Sequence, residues 1–238
     1  MIRNLFLDLD DTLLLNDMQV FIPEYYRALV DKVSSVCDAA TFTEAMKLGT
    51  RAMFDNDGRC SNAQIFDEVF FEYAGCARET LMPLFDAFYA HEYEQMSAYT
   101  EPDPYAKRVV DAAFARGLQV VIATQPVFPR SATLARLRWA GVGAEVYPYA
   151  IITSYEEVGV CKPHPLYFRT LLERLDCPAY ECLMVGDNPE ADMPARALGL
   201  RTFFVNRQRR SAPAGLCDAQ GSMADLARMI ESGGIDAL

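Results

Sequence analysis

Ile2-Arg3-Asn4-Leu5-Phe6-Leu7-Asp8-Leu9-Asp10-Asp11-Thr12 is a short, nearly continuous apolar run that ends in acids and a hydroxyl. Such a run fits a strand buried on both faces, as in a parallel sheet. Residues two apart on a strand share a side. Asp8 and Asp10 are therefore expected to converge at the carboxyl end of the strand, where open α/β sheets bind their ligands. Two close carboxylates repel, and one pKa rises unless a cation stands between them. The pair suits a metal-bound nucleophile beside a general acid/base. It equally suits an Asp-rich turn in which one acid caps the next helix.

Similar apolar runs recur from Leu118 to Ala123, Ala150 to Thr153, Cys182 to Val185 and Thr202 to Val205. Helical patterns lie between them. Asp103-Pro104 opens one and Gly117 closes it. Others run from about Ser131 to Ala140, from Pro165 to Leu175 and from about Glu190 to Leu198. A last helix, around Met223 to Glu231, is expected to cover the edge of the sheet. This alternation predicts an α/β fold with a doubly wound parallel sheet. Residues 16 to 99 break the rhythm with helical patterns alone. Their apolar stripes are Ile22, Tyr25, Tyr26, Leu29, Val30 and Val33, then Ile65, Phe66, Val69, Phe70 and Tyr73, then Leu84, Phe85, Phe88 and Tyr89. Thr41 with Glu44, and Ser61 with Gln64, have capping-box spacing. The expected organisation is a core of residues 1–15 and 100–238, with a small all-helical domain, 16–99, inserted after the first strand.

The 238 residues carry 22 basic and 33 acidic side chains, a net charge of −11. An acidic surface disfavours nucleic acid and anionic lipid as partners. An anionic substrate would need local positive charge from a metal, a lysine or a helix N-terminus. Seven cysteines, an odd number with no CxxC pair, argue against zinc and against a disulfide framework, and favour a reducing compartment. No signal peptide and no membrane-length apolar stretch is read in the chain, so the expected location is the cytoplasm. Oligomeric state is not legible.

Three further segments can carry chemistry. Val120 to Thr124 is an apolar run that delivers a hydroxyl at its end, a donor for a phosphoryl oxygen or a simple cap. Val160-Cys161-Lys162-Pro163-His164-Pro165 fixes a loop before a helix. Lys162 there is either a point charge for carboxylate and phosphate or a surface lysine. His164 reads as a solvated loop residue and Cys161 as a small buried hydrophobe. Leu183 to Asp192 ends a buried strand in Gly186-Asp187. Gly186 permits close backbone approach, and Asp187 offers the hard oxygen that magnesium prefers. Asp192 either binds an outer-shell water or the Lys162 ammonium, or complements a helix dipole.

Taken in order, Asp8-x-Asp10-x-Thr12, Thr124, Lys162-Pro163 and Gly186-Asp187 with Asp192 resemble the four motifs of the haloacid dehalogenase-like hydrolases. The likeness covers roughly residues 1–15 and 100–207. Thr153 to Gly159 resembles the phosphoglycolate-phosphatase-like branch, whose mobile helical cap sits where residues 16–99 lie. The resemblance implies a Rossmann-like core and a Mg2+-dependent phosphatase that forms an aspartyl-phosphate on Asp8. It implies Asp10 as acid and base, and as a metal ligand through its backbone carbonyl. Thr124, with Gln125 beside it, and Lys162 would hold the phosphoryl group. Asp8 and Asp187 would be metal ligands, with Asp192 outside them. Gln125 stands where asparagine is common, and Asp11 where glycine is common. The implied partner is a small phosphorylated metabolite.

Dehalogenases of the superfamily lack the second acid, so Asp10 favours phosphoryl chemistry. A sugar-phosphate mutase shares all four motifs and remains an alternative, as does a silent binding protein on this fold. Phosphonate cleavage would need a cap lysine, for which only Lys32 and Lys47 offer themselves. A receiver domain carries its phosphorylated aspartate on an interior strand. Gly141-Val142-Gly143 makes no dinucleotide fingerprint, and no P-loop occurs. Leaving-group recognition is expected from residues 13–18 and the loop Asp55 to Arg59; Arg59 or Arg51 either meets a second anionic group or is a solvated surface arginine.

Overall fold

The N-terminal apolar run forms an interior strand of a six-stranded parallel sheet. A computed structural model describes residues 1–207, 212–213 and 215–238. The first strand, β1 (Asn4–Leu7), is buried at every residue. It pairs in parallel with β4 (Gln119–Ile122) on one side and β6 (Cys182–Gly186) on the other. β5 (Ile151–Ile152) lies beyond β4, while β7 (Arg201–Val205) and β8 (Ala219–Gly221) lie beyond β6. The order is β5-β4-β1-β6-β7-β8. The chain winds outward from β1 through β4 to β5, then crosses back to β6. The strand order therefore reverses between β1 and β6, and a ligand crevice opens at such a point.

Strand alternation divides the core. Leu5, Leu7, Val120, Ile122, Leu183 and Val185 face α5 (Ala106–Ala115) and α8 (Met223–Ser232). Phe6, Val121, Ala123 and Met184 face α7 (Pro165–Leu175) and the short 3-10 turn Met193–Leu198. The last helix thus packs beside α5 on a face of the sheet instead of covering its edge, because Leu226, Ala227 and Ile230 share one apolar stripe. The expected helix from Glu190 is reduced to that 3-10 turn: Asp192 is drawn inward, Pro194 follows, and Gly199 ends the turn at φ 90°.

A second core forms between α1 (Met18–Val33), α2 (Ala39–Phe54), α3 (Asn62–Tyr73) and α4 (Arg78–Ala87). Phe21, Tyr25, Leu29 and Val33 are the buried face of α1, one position round from the stripe read in the sequence. In α3 only Phe70 of the expected stripe is fully buried, and Tyr73 is exposed. The Ser61–Gln64 capping box forms as expected. Thr41 is not a cap: α2 starts two residues earlier, where the Asp38 carboxylate accepts from the Thr41 backbone N–H and hydroxyl, both at 2.9 Å. A carboxylate outcompetes a hydroxyl for an orphan N–H at that end. This second core also takes in Phe128, Ala132 and Ala135 from α6 (Arg130–Trp139) and the loop before it.

The chain leaves for these helices along β2 (Leu14–Asn16) and returns along β3 (Thr100–Pro102), which pair antiparallel. Cys37 and Cys76, with Cα atoms 6.1 Å apart, form a disulfide that ties the α1–α2 connection to the α3–α4 connection. The sequence reading disfavours a disulfide framework, and one isolated pair forms. An odd count does not forbid one pair that the fold brings within bridging distance. The other five cysteines are free. No described helix is long and apolar enough to cross a membrane.

Candidate active site

β1 hydrogen-bonding continues one residue past the strand, with the Asp8 N–H donating to Val185 O at 2.9 Å. Asp8 is thereby set against the β6 end, at the reversal point. The chain then turns sharply. The N–H groups of Thr12, Leu13 and Leu14 all point back to Leu9 O. Asp11 takes the left-handed conformation, φ 54°. That explains why glycine suits this position, and why aspartate, whose short side chain bonds locally, also serves. Its carboxylate accepts from Asn16 N at 3.1 Å. Arg207 clamps the turn from outside, donating to the carbonyls of Asp11 and Thr12 while pairing with Asp103.

Lys162 is nearly fully buried. Its Nζ lies 3.0 Å from Asp8 Oδ1 and 2.6 Å from Asp192 Oδ1. The alternatives for both residues resolve here: the lysine is no surface residue, and Asp192 binds the ammonium. The second oxygen of Asp192 accepts from Asn188 N at 3.1 Å. Gly186 makes room for this. A Cβ there would stand 2.0 Å from Asp192 Oδ2, a distance that excludes any side chain. Burial works against the charged lysine, but Asp192 and Asp8 outweigh it and hold its pKa above the usual value.

Among the described residues, the carboxylates of Asp8, Asp187 and Asp192 gather with oxygen atoms within 4.8 Å of one another. Burial first, then the neighbouring charges of Asp192 and Asp11, pushes the Asp187 carboxyl up to about 7. Burial raises Asp8 too, and Asp192, Asp187 and Asp10 add to it against the pull of Lys162. The set is three hard-oxygen acids around one ammonium, a net negative cluster of the kind a small divalent cation neutralises.

Asp10 does not join this cluster, contrary to the expected convergence with Asp8. The strand has already given way to the turn, so the two-residue alternation no longer applies. Arg136 Nη1 sits 2.6 Å from Asp10 Oδ2, and Asn16 Nδ2 sits 3.1 Å from Asp10 Oδ1. Thr124 is buried at the end of β4, and its carbonyl accepts from Thr153 Oγ1 and Tyr167 OH, both at 2.8 Å. Gln125, expected beside the phosphate, instead binds the main chain of Lys162 at both ends. Its Nε2 donates to Lys162 O at 3.0 Å and its Oε1 accepts from Lys162 N at 2.7 Å. His164 caps α7 through Nδ1, which accepts from Leu166 N. Burial pushes the Cys161 thiol up to about 12, the state of an inert small hydrophobe.

Arg51 and Arg59 pair with Asp55 and Asp57 and are 82% and 86% exposed, so neither reaches the acids. Asn62, Arg136 and Asn16 were not singled out from sequence. Asn62 is buried and donates to Pro126 O at 2.9 Å, and its N–H donates to Val158 O at 3.1 Å. It thus stitches α3 to the two loops that follow β4 and precede Lys162. Arg136 did leave a signal, a lone charge four residues after Ala132 on the buried stripe of α6. A cleft of about 450 Å3 lies between the helices and the loop after Thr124, lined by aromatics including Tyr25, Phe66, Tyr89, Phe128 and Tyr155. None of the clustered acids lines it.

A parallel sheet with acids, threonine and lysine at its strand ends defines a class of hydrolases, and comparison with known proteins agrees. The chain matches the model of the haloacid dehalogenase-like hydrolases over residues 2–198 and belongs to that family. It is 32% identical over 148 residues to phosphoserine phosphatase from Thermus thermophilus, covering 62% of this chain and 55% of that one. It is 28% identical over 212 residues to glyceraldehyde 3-phosphate phosphatase from Methanocaldococcus jannaschii, covering 86% and 85%. In the stronger of these matches, the chain spans about half the relative's length. The fold is shared with a 2-haloacid dehalogenase from Pseudomonas syringae, at 20% identity, TM-score 0.65 and coverage of 98% and 100%. It is also shared with a phosphatase of the same superfamily from Thermococcus onnurineus, at 18%, 0.60 and coverage of 96% and 98%.

Proposed function

We propose that the chain hydrolyses small phosphate monoesters through an aspartyl-phosphate on Asp8, with Mg2+ as cofactor. The observation that carries this reading is the buried Asp8–Lys162–Asp192 chain beside Asp187 at the reversal point of the sheet. A dehalogenase needs no second acid after the nucleophile, whereas this chain has Asp10 and holds it in an ion pair.

In the proposed reaction a carboxylate oxygen of Asp8 attacks phosphorus, and the bond from phosphorus to the ester oxygen breaks. Asp10, which enters the step protonated at the oxygen that Arg136 does not hold, gives that proton to the leaving oxygen. Asp10 then takes a proton from water, whose oxygen attacks the phosphorus, and the bond to Asp8 breaks to release inorganic phosphate. Lys162 holds Asp8 in place and faces the charge that builds on the phosphoryl oxygens. Thr124 offers a hydroxyl to those oxygens. Asp8, Asp187 and the Asp10 carbonyl would hold the metal, with Asp192 outside them tied to Lys162. When bound, the ion neutralises the crowded carboxylates and draws charge from the phosphoryl group. Residues 16–99 act as a cap over the core formed by 1–15 and 100–238, hinged at the β2–β3 pair. The substrate is a small phosphorylated metabolite, the kind named for both phosphatase relatives.

The test is phosphate release from a panel of phosphorylated metabolites and p-nitrophenyl phosphate, with Mg2+ and with chelator. Release that requires the metal and stops in Asp8→Asn supports the reading. Equal inactivity of wild type and variant on every compound removes it.

A further inference from the structure

Asp10 is the acid and base of the reaction proposed above, yet nothing in that reaction accounts for Arg136. This arginine is fully buried in the last turn of α6, with its guanidinium 4.3 Å from the Phe128 ring centroid. Among the described residues its one carboxylate partner is Asp10, at 2.6 Å. Its Nη2 has no hydrogen-bond partner among the described residues, and neither do Asn16 Oδ1 and Tyr93 Oη, two of five other such buried atoms. Asn16 donates to Asp10, and Tyr93 stacks on Trp139 of α6.

A purely structural purpose explains this poorly. A buried ion pair is a weak source of stability, and apolar side chains of similar size often replace one without loss. Leaving one guanidinium nitrogen unpaired adds a further penalty. Such an arrangement persists where it fixes a geometry that matters. Here the fixed group is the Asp10 carboxylate, in the turn between β1 and β2, where Asp10 bridges to Leu14 at the start of β2.

We propose that Arg136 is a positioning residue for Asp10. By gripping Oδ2 with an N–H, it leaves Oδ1 as the oxygen that exchanges a proton, first with the leaving group and then with water. Oδ1 keeps a free lone pair beside its 3.1 Å bond from Asn16, and it has no cationic partner. Asn16 assists from the hinge strand. Arg136 itself touches neither phosphorus nor the leaving oxygen.

This inference rests on the phosphatase reading, and its test separates the two. Arg136→Met and Arg136→Lys are compared with wild type on p-nitrophenyl phosphate and on the best alkyl phosphate of the panel, using kcat/KM. That constant reports steps up to loss of the leaving group. An alkoxide needs a proton at that step and p-nitrophenolate does not. Positioned proton transfer is worth about 10²–10⁴-fold. In Arg136→Met the alkyl-to-aryl ratio of kcat/KM is therefore expected to fall by about 30-fold or more, with KM little changed. Arg136→Lys, which keeps a charge without the planar fork, should recover part of the ratio. Thermal melting identifies the variants that fold. If Arg136→Met does not fold, the ratio in Arg136→Lys decides: lowered supports the proposal, unchanged overturns it. Equal losses on both substrates, or none, would also overturn it while the phosphatase reading stands. Wild type inactive on both substrates would remove both.

Discussion

Lys162 shows how one residue binds stability and chemistry together. Among the described residues it is the one cation paired with two buried carboxylates, Asp8 and Asp192. Removing one partner of such a set strands the other in the interior, at about 3–5 kcal/mol. Lys162→Met should therefore lose both stability and about 10²–10³-fold in activity. Adding Asp192→Asn should restore much of the melting temperature while activity stays low, a split read by calorimetry and phosphate release on the same samples. Asp187 gives a pH signature. Its carboxyl sits near 7, so between pH 4 and 7 the folded, metal-free protein binds more protons there than the unfolded chain. Stability from that group is present at low pH and is lost as pH rises through about 7. Metal-free Asp187→Asn should thus melt above wild type at pH 8, with the gap closing at pH 5. Each kcal/mol of difference corresponds to about 2–4 °C. Added Mg2+ should raise the wild-type melting temperature more at pH 8 than at pH 5, because the ion competes with protons for the same oxygens.

At the level of elements, the cap of α2 offers a clean choice between two assignments. Asp38→Ala should destabilise the protein by about 1 kcal/mol in denaturant unfolding. Glu44→Ala should stay within about 0.5 kcal/mol. Strand positions were legible because Leu5, Phe6 and Leu7 are apolar at consecutive positions in a run too short for a helix, as a strand covered on both faces requires. The Gly186-Asp187 turn was legible for a similar reason, since a residue without a side chain ended a buried run. The helix after Asp187 was misread because local pattern cannot reveal that Asp192 is pulled inward by Lys162, thirty residues earlier in the chain. Thr41 and Glu44 had the spacing of a box, but Asp38 is the stronger acceptor nearby. The pairing of Asp10 with Arg136 was beyond reach for the same physical reason as the Cys37–Cys76 bridge. Each depends on which distant surfaces meet, and no local propensity encodes that.

For the whole molecule, a chain of net charge −11 presents an anionic substrate with a site held by one buried lysine among acids. Metal binding and substrate binding are therefore expected to be coupled, and chelator should raise KM as well as lower kcat. The helices of residues 16–99 meet the sheet domain at several points, among them the β2–β3 pair and Asn62, which bonds to Pro126 and Val158. Asn62→Ala would leave the Pro126 carbonyl without its donor, at about 1–3 kcal/mol. It should also loosen the loop beside Thr124, seen as faster amide exchange at Gln125, Val127 and Phe128. The central claim is the covalent step, and rapid acid quench of a single turnover tests it most directly, with the phosphorylated peptide located by mass spectrometry. The account predicts phosphate on Asp8 and none anywhere in Asp8→Asn. Full turnover with Asp8 unmodified at every time point, or phosphate on a different residue, would contradict it.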